Sequence, residues 1–208
     1  MNQITTDIYK DFIPLPENLD GWNGTKPILG DLIREIRPKH VIEVGTWKGQ
    51  SAITMAKAVK ANGLNTIITC VDTWLGAVEF WGDMKHTPER NLLLKNGYPQ
   101  IYYQFLSNVV HNNVQDVILP FPNTSFIAAK HFQQKGVKAE MIYIDGSHEY
   151  EDVLQDNTQY WNLVTPGGIL FGDDWGWTSV RAAVEAFAAN AGVKIENLDR
   201  DCWLIRKP

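Results

Sequence analysis

The chain predicts a doubly wound, Rossmann-like α/β fold on a mostly parallel sheet. Three observations carry this. Apolar runs and amphipathic stretches alternate almost throughout. The runs are apolar at successive positions, as in strands covered on both faces. No internal repeat or low-complexity linker interrupts the alternation.

Taken in order, Pro27 opens an amphipathic helix that carries Ile28, Leu29, Leu32, Ile33 and Ile36 on one face and ends near Pro38. Val41, Ile42 and Val44 form the first strand, over 41–45. A helix over 50–61 follows, with Ala52, Met55, Ala56 and Val59 at helical spacing, and Asn62-Gly63 stops it. TIITCVDT, 66–73, is the second strand. From Trp74 to Asn113 the pattern breaks into an aromatic-rich insertion with some helical potential. DVILPFP, 116–122, reads as a third strand, and Phe126 to Gln134 as a helix capped by Ser125. MIYIDG, 141–146, is the fourth strand, with a helix from about Tyr150 to Val164. Pro166-Gly167-Gly168 then turns into ILFGDD, the fifth. A helix over about 179–189 buries Val180, Ala183, Val184, Phe187 and Ala188, and short strands near 195–198 and 202–205 close the chain.

At 208 residues the chain suits one domain, 1–208, with 1–40 as an N-terminal cap and helix segment and 74–113 as an insertion near the site. A net charge of -5 argues against general nucleic-acid binding. MNQITTDIYKDF lacks the basic head and apolar stretch of a signal peptide, and no apolar segment is long enough to span a bilayer. Cys70 and Cys202 both lie in strand-like surroundings, as core thiols do in a reducing compartment. The expected location is the cytoplasm, with no membrane and no nucleic-acid partner.

In such a fold a ligand sits beyond the strands' carboxyl ends, and the acids of this chain fall there. Asp72 ends the second strand, where a carboxylate can accept both hydroxyls of a ribose. Asp145 ends the fourth strand, and Asp173 and Asp174 the fifth. Converging carboxylates repel one another unless a cation or shared proton neutralises them, and oxygen-only ligands suit a hard divalent ion such as magnesium. A divalent site at these acids, for an ion such as magnesium or calcium, is therefore expected.

The turn after the first strand reads Gly45-Thr46-Trp47-Lys48-Gly49. It lacks the middle glycine of a dinucleotide fingerprint and the G-K-[ST] of a Walker loop. E-V-G-x-x-x-G suits a ligand with an amino-acid tail and no phosphate. Glu43 would orient the loop, while Ser51 and backbone N–H groups bind a carboxylate.

IEVGTWKGQSA, CVDTW, YIDGSHEYEDVLQD and PGGILFGDDW together resemble the class I S-adenosylmethionine-dependent methyltransferases. Within them they resemble the small metal-dependent O-methyltransferases that include macrolide- and aminocoumarin-sugar enzymes. The resemblance runs from Val41 to Trp175 and implies a seven-stranded sheet with the last strand antiparallel. It implies that Glu43, Gly45 and Gly49 border the cofactor, that Asp72 binds its ribose, and that Asp145, Asp173 and Asp174 hold magnesium; the expected cofactor set further includes Thr46, Ser51, Thr73, Trp74 and Ser125. After the D-G, however, this chain has Ser147 and His148, where the sugar enzymes tend to carry an acidic and an aliphatic residue. The substrate class is not carried over with the fold.

The expected function is O-methylation of a hydroxyl on a small molecule, a sugar or other diol-like acceptor, assisted by the metal. Asp145 is the first candidate for general base and His148 the second. His40, His86, His111 and His131 form no ligand-spaced cluster. Trp161 and Trp203 read as core. Trp47, Trp74, Trp81, Trp175 and Trp177 lie at the strand ends and suggest an aromatic wall, to which the insertion and the segment through Trp22 add a lid. Aromatic insertions also mediate dimers, so a homodimer is a candidate assembly. Two other classes stay open: a metal-dependent hydrolase using Asp145, His148, Asp173 and Asp174, and a non-catalytic cofactor-binding protein.

Overall fold

A computed structural model of the chain describes residues 8–81, 90–198 and 200–208. Strands β1 (His40–Val44), β2 (Ile67–Asp72), β3 (Ile118–Pro122), β4 (Ala139–Ile144), β5 (Val164–Gly172), β6 (Ile195–Asn197) and β7 (Trp203–Arg206) make one sheet, ordered β3-β2-β1-β4-β5-β7-β6. β1 to β5 pair in parallel, and β7 runs antiparallel to both β5 and β6. The mostly parallel, doubly wound sheet expected from the sequence is therefore the one observed, with β7 as its reversed strand. The order turns between β1 and β4, the kind of switch point beyond which open α/β sheets bind their ligands.

The helices α1 (Pro27–Ile36), α2 (Gln50–Ala61), α3 (Ile101–His111), α4 (Ser125–Gln134), α5 (Tyr150–Trp161) and α6 (Thr178–Ala191) cover both faces. Side chains alternate along each strand, so two cores form. Val41, Ile68, Met141, Tyr143, Phe171 and Leu204 pack under α1, α2 and α3 with Leu32, Ile33, Met55 and Phe105. Ile42, Val71, Ile142, Ile144, Leu170 and Trp203 pack under α4, α5 and α6 with Phe132, Val153, Val184 and Phe187. No helix among the described residues is long and apolar enough to cross a membrane.

Four local readings are corrected. The end of the supposed insertion is an ordinary crossover helix, α3, with Ile101, Phe105, Leu106 and Val109 buried on the sheet; residues 82–89 of that insertion, with His86, lie outside the described residues. The fifth helix stops at Trp161 rather than Val164, because Val164 pairs with Ala139. β5 thus begins before Pro166, and the Pro-Gly-Gly turn becomes an irregularity between the pairs Ala139↔Val164 and Met141↔Ile169. Finally, Thr124 caps α4, its side chain accepting from the Ile127 amide, and Ser125 is the first helical residue.

The polar face of α3 binds an N-terminal strap. Ser107 Oγ accepts the Leu15 amide at 2.9 Å, and Gln104 Nε2 donates to the Pro16 carbonyl at 2.9 Å. Asn112 Nδ2 donates to Glu17 Oε1 at 2.7 Å, and His111 Nε2 lies 2.8 Å from the Leu15 carbonyl. Asn108 accepts the Asn18 amide at 2.9 Å and donates to the Asn18 carbonyl at 2.6 Å. Further on, Thr54 Oγ1 donates to the Gly24 carbonyl at 2.7 Å. The strap thereby crosses the glycine turn and delivers Lys26 to the strand ends.

Candidate active site

The ends of β2, β1, β4 and β5 are tied by backbone bonds beyond the regular ladder. Gly45 N donates to the Val71 carbonyl at 2.9 Å, Asp145 N to the Val44 carbonyl at 2.8 Å and Asp173 N to the Ile144 carbonyl at 3.3 Å. Gly45, at φ +81°, lies so close to β4 that a Cβ there would meet the Asp145 carbonyl oxygen at 2.1 Å. Gly49, at φ +89°, would likewise strike the Phe105 ring at 2.8 Å. The two glycines bracketing the turn make room for the protein itself, β4 in one case and α3 in the other.

Asp72 organises this turn. Its Oδ2 accepts the amides of Thr46 at 2.9 Å and Trp47 at 2.8 Å, and its Oδ1 accepts the amide of Trp74 at 2.7 Å. Burial pushes its carboxyl above the ordinary range, although the surrounding amides pull the other way. Trp47, Trp74 and Asp174 all adopt positive φ, at 51°, 53° and 62°, so the loops after β1, β2 and β5 each hold a residue in a sparsely populated conformation. The indole N–H of Trp47 is buried with no acceptor among the described residues. An orphaned donor in the glycine turn fits a ligand that supplies an oxygen there.

Two of the other expected cofactor residues, Trp74 and Ser125, make their contacts within the protein. Trp74 is 2% exposed, packs its ring on Tyr102 and Phe105 at 5.0 Å each, and donates its indole N–H to the Trp47 carbonyl at 2.8 Å. It is a core residue that fastens the two loops. Thr46 is buried, whereas Thr73 is exposed and accepts the Leu75 amide. Ser125 offers its carbonyl to the Tyr160 hydroxyl and its side chain to Asp156.

Ser51 donates its hydroxyl to Glu43, and Cys70 Sγ donates to Glu43 at 3.6 Å. Ser51 thus serves the acid beneath the loop, and Glu43 is fully buried. Burial pushes the Glu43 carboxyl up to about 8 against the hydrogen bonds from Ser51 and Cys70. A proton that the folded chain keeps after the unfolded chain has released it makes stability fall as pH rises, here from about 4.5 to about 8. Glu43→Gln, which has no proton to lose, should flatten that decline. Urea denaturation at pH 5 and pH 8 checks this, and equal slopes in both proteins would contradict it.

Beyond β4 and β5, Asp145, Ser147, Asp173 and Asp174 line a cavity of about 10 Å³ with Val153, Val180 and Trp203. Burial, then Asp173 and Asp174, hold the Asp145 carboxyl well above the usual range, while a bond from Tyr143 draws it down. His148 Nε2 lies 2.9 Å from Asp174 Oδ2, and its ring stacks on Trp177 at 4.6 Å. Asp173, 3% exposed, receives the ammonium of Lys26 at 2.5 Å. The expected three-carboxylate metal site is not assembled. Among the described residues no group of three His, Cys, Asp or Glu side chains is placed to hold an ion. Asp173 Oδ1 is committed to Lys26 and Cys202, and Asp174 Oδ2 to His148.

The aromatic wall is partly as expected. Trp81 and Trp177 are exposed, Trp47 is half-buried against Phe80 with a centroid distance of 5.0 Å, and Trp22 lies 5.9 Å from Phe80. Trp175 is half-buried beneath Arg181, which lies 5.3 Å from its ring. Trp203 is core, but Trp161 is only partly so, edge-on to Phe187. Lys26 is the residue that the sequence reading missed. The available signal was a lysine immediately before the Pro27 helix, a position where Ser, Thr, Asp or Asn is the usual cap.

A family model described as a methyltransferase domain matches residues 42–175. The uncharacterized protein y4gI of Sinorhizobium fredii is 24% identical over 150 residues, and this chain spans only 14% of that relative's length. Among solved structures, the fold is similar to an O-methyltransferase from Bacillus cereus in complex with S-adenosylhomocysteine, with a TM-score of 0.64 and 14% identity over 98% of this chain and 89% of that one. It is also similar to the O-methyltransferase TomG of Streptomyces achromogenes, involved in tomaymycin synthesis and bound to S-adenosylmethionine. There the TM-score is 0.61, at 14% identity over 89% of this chain and 79% of that one.

Proposed function

Since the chain belongs to this methyltransferase domain family, we propose that it transfers a methyl group from S-adenosylmethionine to a hydroxyl of a small, sugar-like or other diol-like acceptor. The observation that carries the reading is the glycine turn at the β1/β4 switch point, which Asp72 fixes through three backbone amides. The orphaned Trp47 indole N–H supports a ligand with a hydrogen-bond acceptor in that turn. S-adenosylmethionine, when bound, supplies an electrophilic methyl on a sulfonium. The protein's tasks are then to align the acceptor oxygen and take its proton.

Two residues suit the proton's removal. Asp145 sits next to the close approach of β1 and β4, and its raised carboxyl is a stronger proton acceptor once ionised. His148 is held by Asp174 and by the Trp177 face, so its ring is oriented as a base must be. The methyltransferase domain match favours methyl transfer over a metal-dependent hydrolase.

Calorimetric titration of S-adenosylhomocysteine into the full chain, with and without magnesium, tests the proposal. Micromolar binding is expected, weakened by about tenfold or more in Asp72→Ala as the turn loses three charge-assisted bonds. An absence of saturable binding by the wild-type protein in both buffers would sink the methyl-transfer reading.

A further inference from the structure

The positive charge facing the acids at the strand ends comes from the chain itself. Lys26 stands 147 residues before Asp173 in sequence, where the strap ends and α1 begins. Its Nζ lies 2.5 Å from Asp173 Oδ1 and 3.8 Å from Asp201 Oδ2, and it donates toward Cys202 Sγ at 3.5 Å. The lysine side chain is 15% exposed and that of Asp173 2%. A lysine side chain this little exposed, with its ammonium on the buried Asp173, is a fixed part of the site, not a solvated surface pair.

The space around it matters as much as the charge. The cavity lined by Asp145, Asp173 and Asp174 measures about 10 Å³, room for about one water molecule. Magnesium requires near-octahedral oxygen coordination and keeps several waters, whereas Asp173 Oδ1 already holds Lys26 and Cys202, and Asp174 Oδ2 lies 2.9 Å from His148. The acids that line this cavity repel one another when ionised, and the ammonium of Lys26 stands against Asp173.

We propose that Lys26 is the resident cation of this site, its ammonium holding on Asp173 the place that a divalent ion would otherwise take. Lys26 is a positioning residue. Through Asp173 it fixes the geometry at the end of β5, and its charge offsets the repulsion among Asp145, Asp173 and Asp174. The strap is therefore part of the site's chemistry, because it carries this charge to the sheet. The inference rests on the methyl-transfer reading for its meaning, but its test uses metal alone and needs neither cofactor nor turnover. The failure of one is thus distinguishable from the failure of the other.

The test is titration of Mn²⁺ into the full-length protein, followed by electron paramagnetic resonance and calorimetry. Wild type and Lys26→Arg should show no Mn²⁺ binding that depends on Asp173 up to about 1 mM, the weak end of the range for protein sites. Lys26→Met, which leaves the carboxylates without their cation, should bind Mn²⁺ about tenfold or more tightly than wild type. Adding Asp173→Asn should abolish that gain. A purely structural ion pair would show up as lost stability in Lys26→Met with no gain of metal. Wild-type binding that Asp173→Asn abolishes overturns the proposal, and so does a folded Lys26→Met that binds no better than wild type. If near-UV circular dichroism shows Lys26→Met unfolded, comparison of wild type with Asp173→Asn decides alone.

Discussion

Gly45→Ala should lose S-adenosylhomocysteine binding and melt about 10 °C below wild type, a cost of about 3–5 kcal/mol. The new Cβ would stand 2.1 Å from the Asp145 carbonyl oxygen and 2.5 Å from Gly146 Cα, both backbone atoms that no rotamer change can move aside. Alanine at φ +81° adds the usual left-handed penalty of about 1–2 kcal/mol. The ends of β1 and β4 would have to separate, and the bond from Asp145 N to the Val44 carbonyl at 2.8 Å would go first. That bond sits at the switch point, so stability and ligand binding should fall together. Differential scanning fluorimetry and calorimetry measure the two. A variant that melts with wild type and binds normally would show that β1 and β4 do not approach this closely.

Asn108→Ala should cost about 2–4 kcal/mol and release the strap while leaving the sheet folded. Asn108 is fully buried. Its amide donates to the carbonyls of Asn18 at 2.6 Å and Lys48 at 2.8 Å, and its oxygen accepts from Asn18 N at 2.9 Å and Gln104 Nε2 at 3.0 Å. Alanine removes all four bonds and leaves the Lys48 carbonyl buried without this donor. Limited proteolysis gives the readout: cleavage should appear between residues 15 and 24 at protease levels that leave wild type intact. Asn108→Asp, which turns a carboxylate oxygen toward the Asn18 and Lys48 carbonyls, should release the strap at least as readily. A strap equally protected in Asn108→Ala and wild type would mean that the apolar contacts of Phe12 and Leu19 hold it instead.

The strands that meet at the switch point are legible in the sequence because burial on both faces leaves an unmistakable mark on the residues. Val41, Ile42, Ile68, Val71, Ile142 and Ile144 leave almost no polar position to dispute. The acids are legible as residues but not as partners. Nothing local says that Asp173 will meet Lys26, or that Asp174 will turn toward His148, because each pairing is made by elements distant in sequence. α3 was hidden for a related reason. Gln104, Ser107 and Asn108 are buried polar residues whose partners come from the strap, so the helix shows no clean apolar stripe. The glycines were legible as glycines, but their occupants were not: Gly45 accommodates a neighbouring strand and Gly49 a phenylalanine.

The strap also imposes an order on the chain's assembly. Synthesis delivers residues 12–25 before anything they bind exists. Leu15 and Asn18 must wait about 90 residues for Ser107 and Asn108, and Lys26 must wait 147 for Asp173. Long-range closures of this kind are entropically late. The segment made early is thus placed after most of the sheet, and Lys26 reaches its carboxylate only once the fifth strand is complete.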